Sequence, residues 1–365
     1  MITDQISSAG TSIWLDDLSR GKITGEDSHS LPHRIAHNNV VGVTTNPSIF
    51  NSAISTGSDY ASSIASLKGG TVEEVVQILT TDDVRSACDL FAPIFKSSLG
   101  IDGRVSIEVD PRLAHDTQGS IEQGKKLWKI VDRPNVMIKI PATLEGLDAI
   151  SELLAEGISV NVTLIFSVER YLKVFEAFMK GLESRLSTGK SIAEVTSVAS
   201  LFVSRVDTAI DAILKKQNSP SSTALLGKAA LANAVLTYQA FELQSLTPRW
   251  KALESQGARI QRPLWASTGV KDPAYEDTRY VLELVAPNTV NTMPQATLDA
   301  VIDHGVLHEG KLDAEYAKSQ SIFFSLEEVG VSIRAVTDEL EKDGVKKFAD
   351  AWNELLTNVG KVLGE

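Results

Sequence analysis

One cysteine stands among 365 residues, at position 88, so neither an internal disulfide nor a cysteine-based zinc site can form. Positive charge is scarce as well: 35 Lys and Arg face 47 Asp and Glu, a formal net charge of -12. Without a basic cluster the chain has no means of replacing the counterions of a nucleic acid, and that class of partner is excluded. No run of about 20 apolar residues is present, so no transmembrane helix and no membrane association are expected. The opening MITDQISSAGTS lacks the basic and apolar regions of a secretory signal, and a cytoplasmic location is the expectation. Two motifs are also missing. No G-x-G-x-x-G follows an apolar run, and no G-x-S-x-G elbow appears, which removes the simple dinucleotide-binding and serine-hydrolase readings.

What is present is a globular composition, 43% hydrophobic and 22% charged, with enough apolar material for a large core. Short runs rich in Val and Ile recur along it: 12–16, 40–44, 104–109, 136–140, 158–164, 195–203, 263–267, and either 281–285 or 288–290. Helical patterns lie between them. Leu147, Ile150 and Leu154 share one face within 145–155, and Val174, Phe178 and Leu182 share another within 169–186. Eight strands alternating with helices predict an α/β chain with a parallel sheet, closing into a single (β/α)8 TIM barrel with additional helices. Residues 1–365 are expected to form one domain. From about 312 to 365 the pattern is that of a helical extension, with Leu340, Val345, Phe348, Trp352 and Leu355 as its buried positions, packed on the outside of the barrel.

In a closed parallel barrel both strand faces are buried, so a polar residue inside a strand needs a reason. Asp16, Glu108, Lys139, Asn161, Thr163, Ser200 and Ser267 all interrupt apolar runs, most of them near the C-terminal end of the run. That end is where barrel enzymes place their chemistry. Lys139, within Val-Met-Ile-Lys-Ile-Pro, is the sharpest case. Burial disfavours the ammonium form of a lysine, and an unprotonated amine attacks ketones to form a Schiff base. A structural ion pair with Glu108, on the preceding strand, is the competing reading.

Six motifs occur in order: Trp14-Leu15-Asp16-Asp17-Leu18-Ser19-Arg20, Gly42-Val43-Thr44-Thr45-Asn46-Pro47-Ser48-Ile49-Phe50, Ser106-Ile107-Glu108-Val109-Asp110-Pro111-Arg112, Met137-Ile138-Lys139-Ile140-Pro141-Ala142-Thr143, Asn161-Val162-Thr163-Leu164-Ile165-Phe166-Ser167 and Leu264-Trp265-Ala266-Ser267-Thr268. Together they resemble the transaldolases, and most closely the longer bacterial type. The resemblance implies a Schiff-base transferase on a TIM barrel, acting on sugar phosphates in the pentose phosphate pathway with no metal or organic cofactor. It implies Lys139 as the Schiff-base lysine, Glu108 and Thr163 as the pair that holds a proton-transferring water, and Asp16 as the base acting on the C4 hydroxyl. Asn46, Asn161 and Ser200 match residues that bind the hydroxyls of the dihydroxyacetone unit, and Phe202 an aromatic that shapes the pocket. Arg205 and Ser267 match phosphate ligands. Many members carry an arginine where this chain has Gly269, and Lys271 is the nearest cation to stand in for it. The alternative within the same barrel is a simple aldolase releasing free dihydroxyacetone. Those relatives are shorter and use a tyrosine that is not evident here. A monomer or homodimer is expected.

Three other signals carry less. His29, His33 and His37 recur every four residues, but Pro32 interrupts the pattern and a single helix face holds three ligands poorly around one metal, so no metal site is expected. The segment 119–126 nearly fits a phosphate-binding loop, yet Lys126 stands where Ser or Thr is required. Cys88 reads as a small buried hydrophobe.

Overall fold

The eight apolar segments become eight parallel strands. They are β1 (Thr11–Leu15), β2 (Val40–Thr44), β3 (Arg104–Glu108), β4 (Val136–Pro141), β5 (Val160–Ile165), β6 (Ser197–Phe202), β7 (Arg262–Ala266) and β8 (Thr289–Met293). Each pairs with the next, and β8 returns to β1 to close the barrel. The computed structural model describes residues 1–56, 58–307 and 312–364; Glu365, the end of the expected extension, lies outside the described residues. One of the two placements for the last strand is corrected. Residues 281–285 are not a strand: Val281 belongs to the helical turn Arg279–Leu282, and it is buried together with Leu284, three residues on. That spacing is helical, and the strand is formed by the neighbouring Thr289–Met293.

The helices that cover the barrel are α1 (Pro47–Thr56), α2 (Val72–Ser97), α3 (Thr117–Val131), α4 (Leu144–Glu156), α5 (Val168–Ser187), α6 (Ser204–Gln217), α7 (Ala229–Ser245), α8 (Gln295–His304), α9 (Tyr316–Glu328) and α10 (Ile333–Leu363). Several start where a hydroxyl or carboxylate caps them. Thr71 and Glu74 form a reciprocal capping box, and the side chains of Asp116, Thr143 and Ser167 accept from the backbone N–H three residues on. The near phosphate-loop segment 119–126 lies inside α3, so its amides are spent on helix bonds and, at Gly119, on the Asp116 cap. Cys88 is fully buried in α2. The helix Leu31–His37 contains His33 and His37, with rings 4.5 Å apart, while His29 precedes it.

Strands β3, β4, β5, β6 and β8 are buried at every position, as a sheet covered on both faces requires. Register places Glu108 beside Lys139, Lys139 beside Asn161, and Pro141 beside Thr163. Residues two apart on a strand share a face, so Ser106 joins Glu108, Asn161 joins Thr163, and Ser200 joins Phe202.

The tail divides: α9 packs on α7 at the flank of the barrel, and only α10 requires a second correction. The long helix α10 does not lie against the outer wall. It packs on α1, α2 and α6 and reaches the end of β5, so it crosses the C-terminal mouth of the barrel. Ile333, Phe348, Leu355 and Val359 are its buried large apolar residues, whereas Leu340, Val345 and Trp352 are only half-buried. Arg170 of α5 ties it down through Glu341, at 2.9 Å. The reason it sits so low is Gly344. A Cβ there would come within 3.0 Å of Leu164 and 3.4 Å of the Phe166 ring. Replacing Gly344 with Val is therefore expected to lift α10 off the mouth, at a cost of about 1–3 kcal/mol, or a few degrees in the melting midpoint. Turnover should fall with it. A variant that melts earlier but turns over at the full rate would show that α10 does not matter to the site.

Candidate active site

Six of the seven polar strand residues lie in the C-terminal half of their strand or just beyond it, and register brings the seventh, Asn161, level with Lys139. Lys139 is 4% exposed. Its ammonium donates to the carbonyl of Thr45 at 2.8 Å and lies 3.5 Å from the Glu108 carboxylate. The ion pair of the competing reading is thus present, but it is incompletely bonded. Neither oxygen of Glu108 has a hydrogen-bond partner among the described residues, nor has the hydroxyl of Thr163, although all three atoms are buried. Buried polar groups are ordinarily paired. Three unpaired ones on the two strands flanking Lys139 mark a binding position beside the amine. Burial pushes the Glu108 carboxyl up to about 7; the nearby Lys139 opposes the shift without cancelling it. A carboxyl that titrates near neutrality can both take and return a proton.

Asp16 follows β1 directly, with its N–H bonded to the carbonyl of Met293 at 2.9 Å. Its carboxylate accepts from Thr44 at 2.6 Å, and Thr44 is in turn 2.6 Å from the hydroxyl of Thr292. Since Thr44 has a single proton and gives it to Asp16, Thr292 must donate to Thr44. This two-hydroxyl chain fixes the carboxylate. Burial raises the Asp16 carboxyl, against the pull of Lys139 and the bond from Thr44.

The amides lie on the same floor. Asn161 is fully buried, donates to Ser106 at 3.0 Å and accepts from Ser200 at 2.7 Å. Ser200 therefore spends its proton on orienting Asn161. Asn46 is half-buried and its side-chain oxygen accepts from Ile49 N–H at 3.1 Å, which leaves its amide hydrogens free to point elsewhere. It lines a cavity of about 160 Å³ that runs beside Glu108, together with Phe50, Asp110, Gln123 and Trp352. A larger groove of about 1590 Å³ lies on the flank of the barrel, and none of the residues singled out in the sequence lines it.

A cationic end stands at the start of α6. Arg205 is in its first turn, half-buried and stacked on the ring of Phe202 at 5.1 Å. Burial lowers the guanidinium's affinity for its proton, while the carboxylates of Asp16 and Asp343 support it. Ser267 is held in the left-handed backbone region, at φ 54°, with its hydroxyl 3.0 Å from Ser204. A non-glycine residue in that region carries strain of the kind that collects at functional sites. Lys271 is exposed, and its ammonium folds back to 3.8 Å from where a Cβ on Gly269 would stand. The N-terminus of α6 with its arginine suits a phosphate, and Lys271 lies against Gly269, two residues after Ser267.

Sequence reasoning missed four contributors. Thr44 and Thr292 support Asp16, and neither stands out, because a threonine in a strand is unremarkable as a β-former. Phe348 lies over the site, 5.8 Å from the Lys139 ammonium, and Trp352 lines the cavity beside Glu108. In the sequence both are ordinary buried positions of an amphipathic tail.

Comparison with known proteins agrees with this geometry. The family model described as Transaldolase/Fructose-6-phosphate aldolase matches residues 13–359. "Transaldolase 1" of Streptomyces avermitilis is 54% identical over 362 residues, covering 99% of this chain and 95% of its own length. The "Transaldolase" of an Arthrobacter species is 55% identical over 359 residues, 98% of this chain and 96% of its own length. That of Mycolicibacterium smegmatis is 54% identical over 353 residues, 96% and 94% respectively. The chain belongs to the transaldolase/fructose-6-phosphate aldolase family.

Proposed function

We propose that the chain is a transaldolase. It moves a dihydroxyacetone unit from sedoheptulose 7-phosphate to glyceraldehyde 3-phosphate, giving erythrose 4-phosphate and fructose 6-phosphate. The observation that carries this reading is the buried Lys139 amine, ion-paired at 3.5 Å with a Glu108 carboxylate that has no hydrogen-bond partner and flanked by the unbonded Thr163 hydroxyl at the mouth of a closed barrel.

In this reading Glu108 accepts a proton from the ammonium, and the neutral amine attacks C2 of the ketose. The carbinolamine oxygen leaves as water, assisted by Glu108 and Thr163. Asp16 then takes the proton of the C4 hydroxyl and the C3–C4 bond breaks. Its electron pair passes into the protonated imine, leaving an enamine on Lys139, and the aldose departs. Asn46 and Asn161 hold the enamine by its hydroxyls until an aldehyde acceptor arrives and the steps reverse. Arg205, Ser267 and Lys271 take the phosphate, with Lys271 supplying the charge that an arginine at position 269 would provide. The lone thiol, buried at Cys88, is compatible with a reducing cytoplasm as the setting.

A simple aldolase on the same barrel would release free dihydroxyacetone. The two are separated by incubating the enzyme with fructose 6-phosphate and measuring dihydroxyacetone with and without an acceptor aldose. Release without acceptor should be a small fraction of the transfer rate. Release at a comparable rate would replace the transferase by an aldolase.

A further inference from the structure

We propose that Phe348, on the C-terminal helix, is a positioning residue of the active site, and that it sets the preference for phosphorylated over unphosphorylated sugars. This rests on the Schiff-base reading above. The ring of Phe348 is 6.0 Å from the guanidinium of Arg205 and 5.8 Å from the ammonium of Lys139. Edge-on contact with Phe202, at 6.3 Å and 61°, completes a cluster in which two rings face one guanidinium. One side chain of α10 thus touches both ends of the path a ketose phosphate must take, from the amine at C2 to the cation that meets the phosphate.

The way Arg205 is held matters. Among the described residues it makes no hydrogen bond and no ion pair: the rings of Phe202 and Phe348 face it, and the carboxylates of Asp16 and Asp343 act on it only through their charge. An aromatic face attracts a guanidinium without using its N–H groups. The planar fork therefore stays available at its edge for phosphate oxygens. A carboxylate in the same place would hold the arginine equally well but neutralise it. Depth is set by the backbone: Gly344 lies one turn before Phe348 on the same helix face, and its close approach to Leu164 and Phe166 brings the ring down to the amine. A purely structural role is the alternative, since Phe348 is 5% exposed and would stabilise α10 in any case. That role predicts lower stability and equal effects on all substrates.

The test uses the full-length enzyme with erythrose as the common acceptor, and fructose 6-phosphate or fructose as donor. The readout is the ratio of kcat/KM for the two donors. Phe348→Leu keeps the apolar bulk but removes the aromatic face, and should lower the ratio about tenfold, mainly through KM for the phosphorylated donor. Phe348→Tyr keeps the face and should restore the ratio. A ratio unchanged in Phe348→Leu overturns the proposal, whether both donors lose activity together or neither does. So does a Tyr variant as poor as the Leu variant. Borohydride trapping of the wild type at Lys139 is the separate control. If it fails, the Schiff-base reading fails, independently of the ratio.

Discussion

Lys139→Ala is expected to lose activity by at least about 10⁴-fold while remaining folded, because it removes the nucleophile of a covalent mechanism. Retention of the fold follows from the charge balance. Without the lysine, nothing offsets the burial that already raises the Glu108 carboxyl, so Glu108 stays neutral and no unpaired charge is left in the barrel. Reduction with borohydride in the presence of fructose 6-phosphate should label the wild type on the peptide carrying Lys139 and leave the Ala variant unlabelled. Labelling at another lysine, or a variant retaining a tenth of the activity, would remove Lys139 from the chemistry and return the pair with Glu108 to a structural role.

The second large effect concerns Glu108. Its carboxyl titrates near 7 in the folded enzyme, against an ordinary value of 4.5. Below that pH the pair holds one proton too many: Glu108 is neutral and cannot accept from Lys139. The logarithm of kcat/KM should therefore fall with unit slope as pH drops through about 7. Glu108→Gln should cost on the order of 10²–10⁴-fold and abolish that inflection. Stability runs the other way. Between about 4.5 and 7 the folded state retains a proton that the unfolded chain has released, so this group's contribution becomes less favourable as pH rises through that window. The shift amounts to roughly 3 kcal/mol at pH 8. The wild-type melting midpoint should accordingly drop more between pH 5 and pH 8 than that of Glu108→Gln. Parallel curves for the two proteins would show that Glu108 does not titrate there.

The barrel was legible because its cause is local. Strands buried on both faces must be continuously apolar, and eight such runs separated by helical periodicity admit few other closures. The site was legible for the same reason: Asp16, Glu108, Lys139, Asn161 and Thr163 are conspicuous only because each breaks an apolar run. Sequence does not choose between 281–285 and 288–290, since both are short and apolar, and only packing separates a helical turn from a strand there.

Tertiary structure alone decided the rest. The stripe of Phe348, Trp352 and Leu355 has the same spacing whether its helix lies on the barrel wall or across its mouth, because periodicity reports that a face is buried and not against what. Gly344 is what admits the helix to the mouth, and its role exists only once Leu164 and Phe166 stand opposite it. Likewise the hydroxyl chain from Thr292 through Thr44 to Asp16 joins residues 248 and 28 positions apart, which only closure of the barrel brings within hydrogen-bond reach. The sequence by itself thus determined seven of the eight strands and which polar residues interrupt them; the last strand, and the way those residues are supported and roofed, were decided by contacts between distant segments.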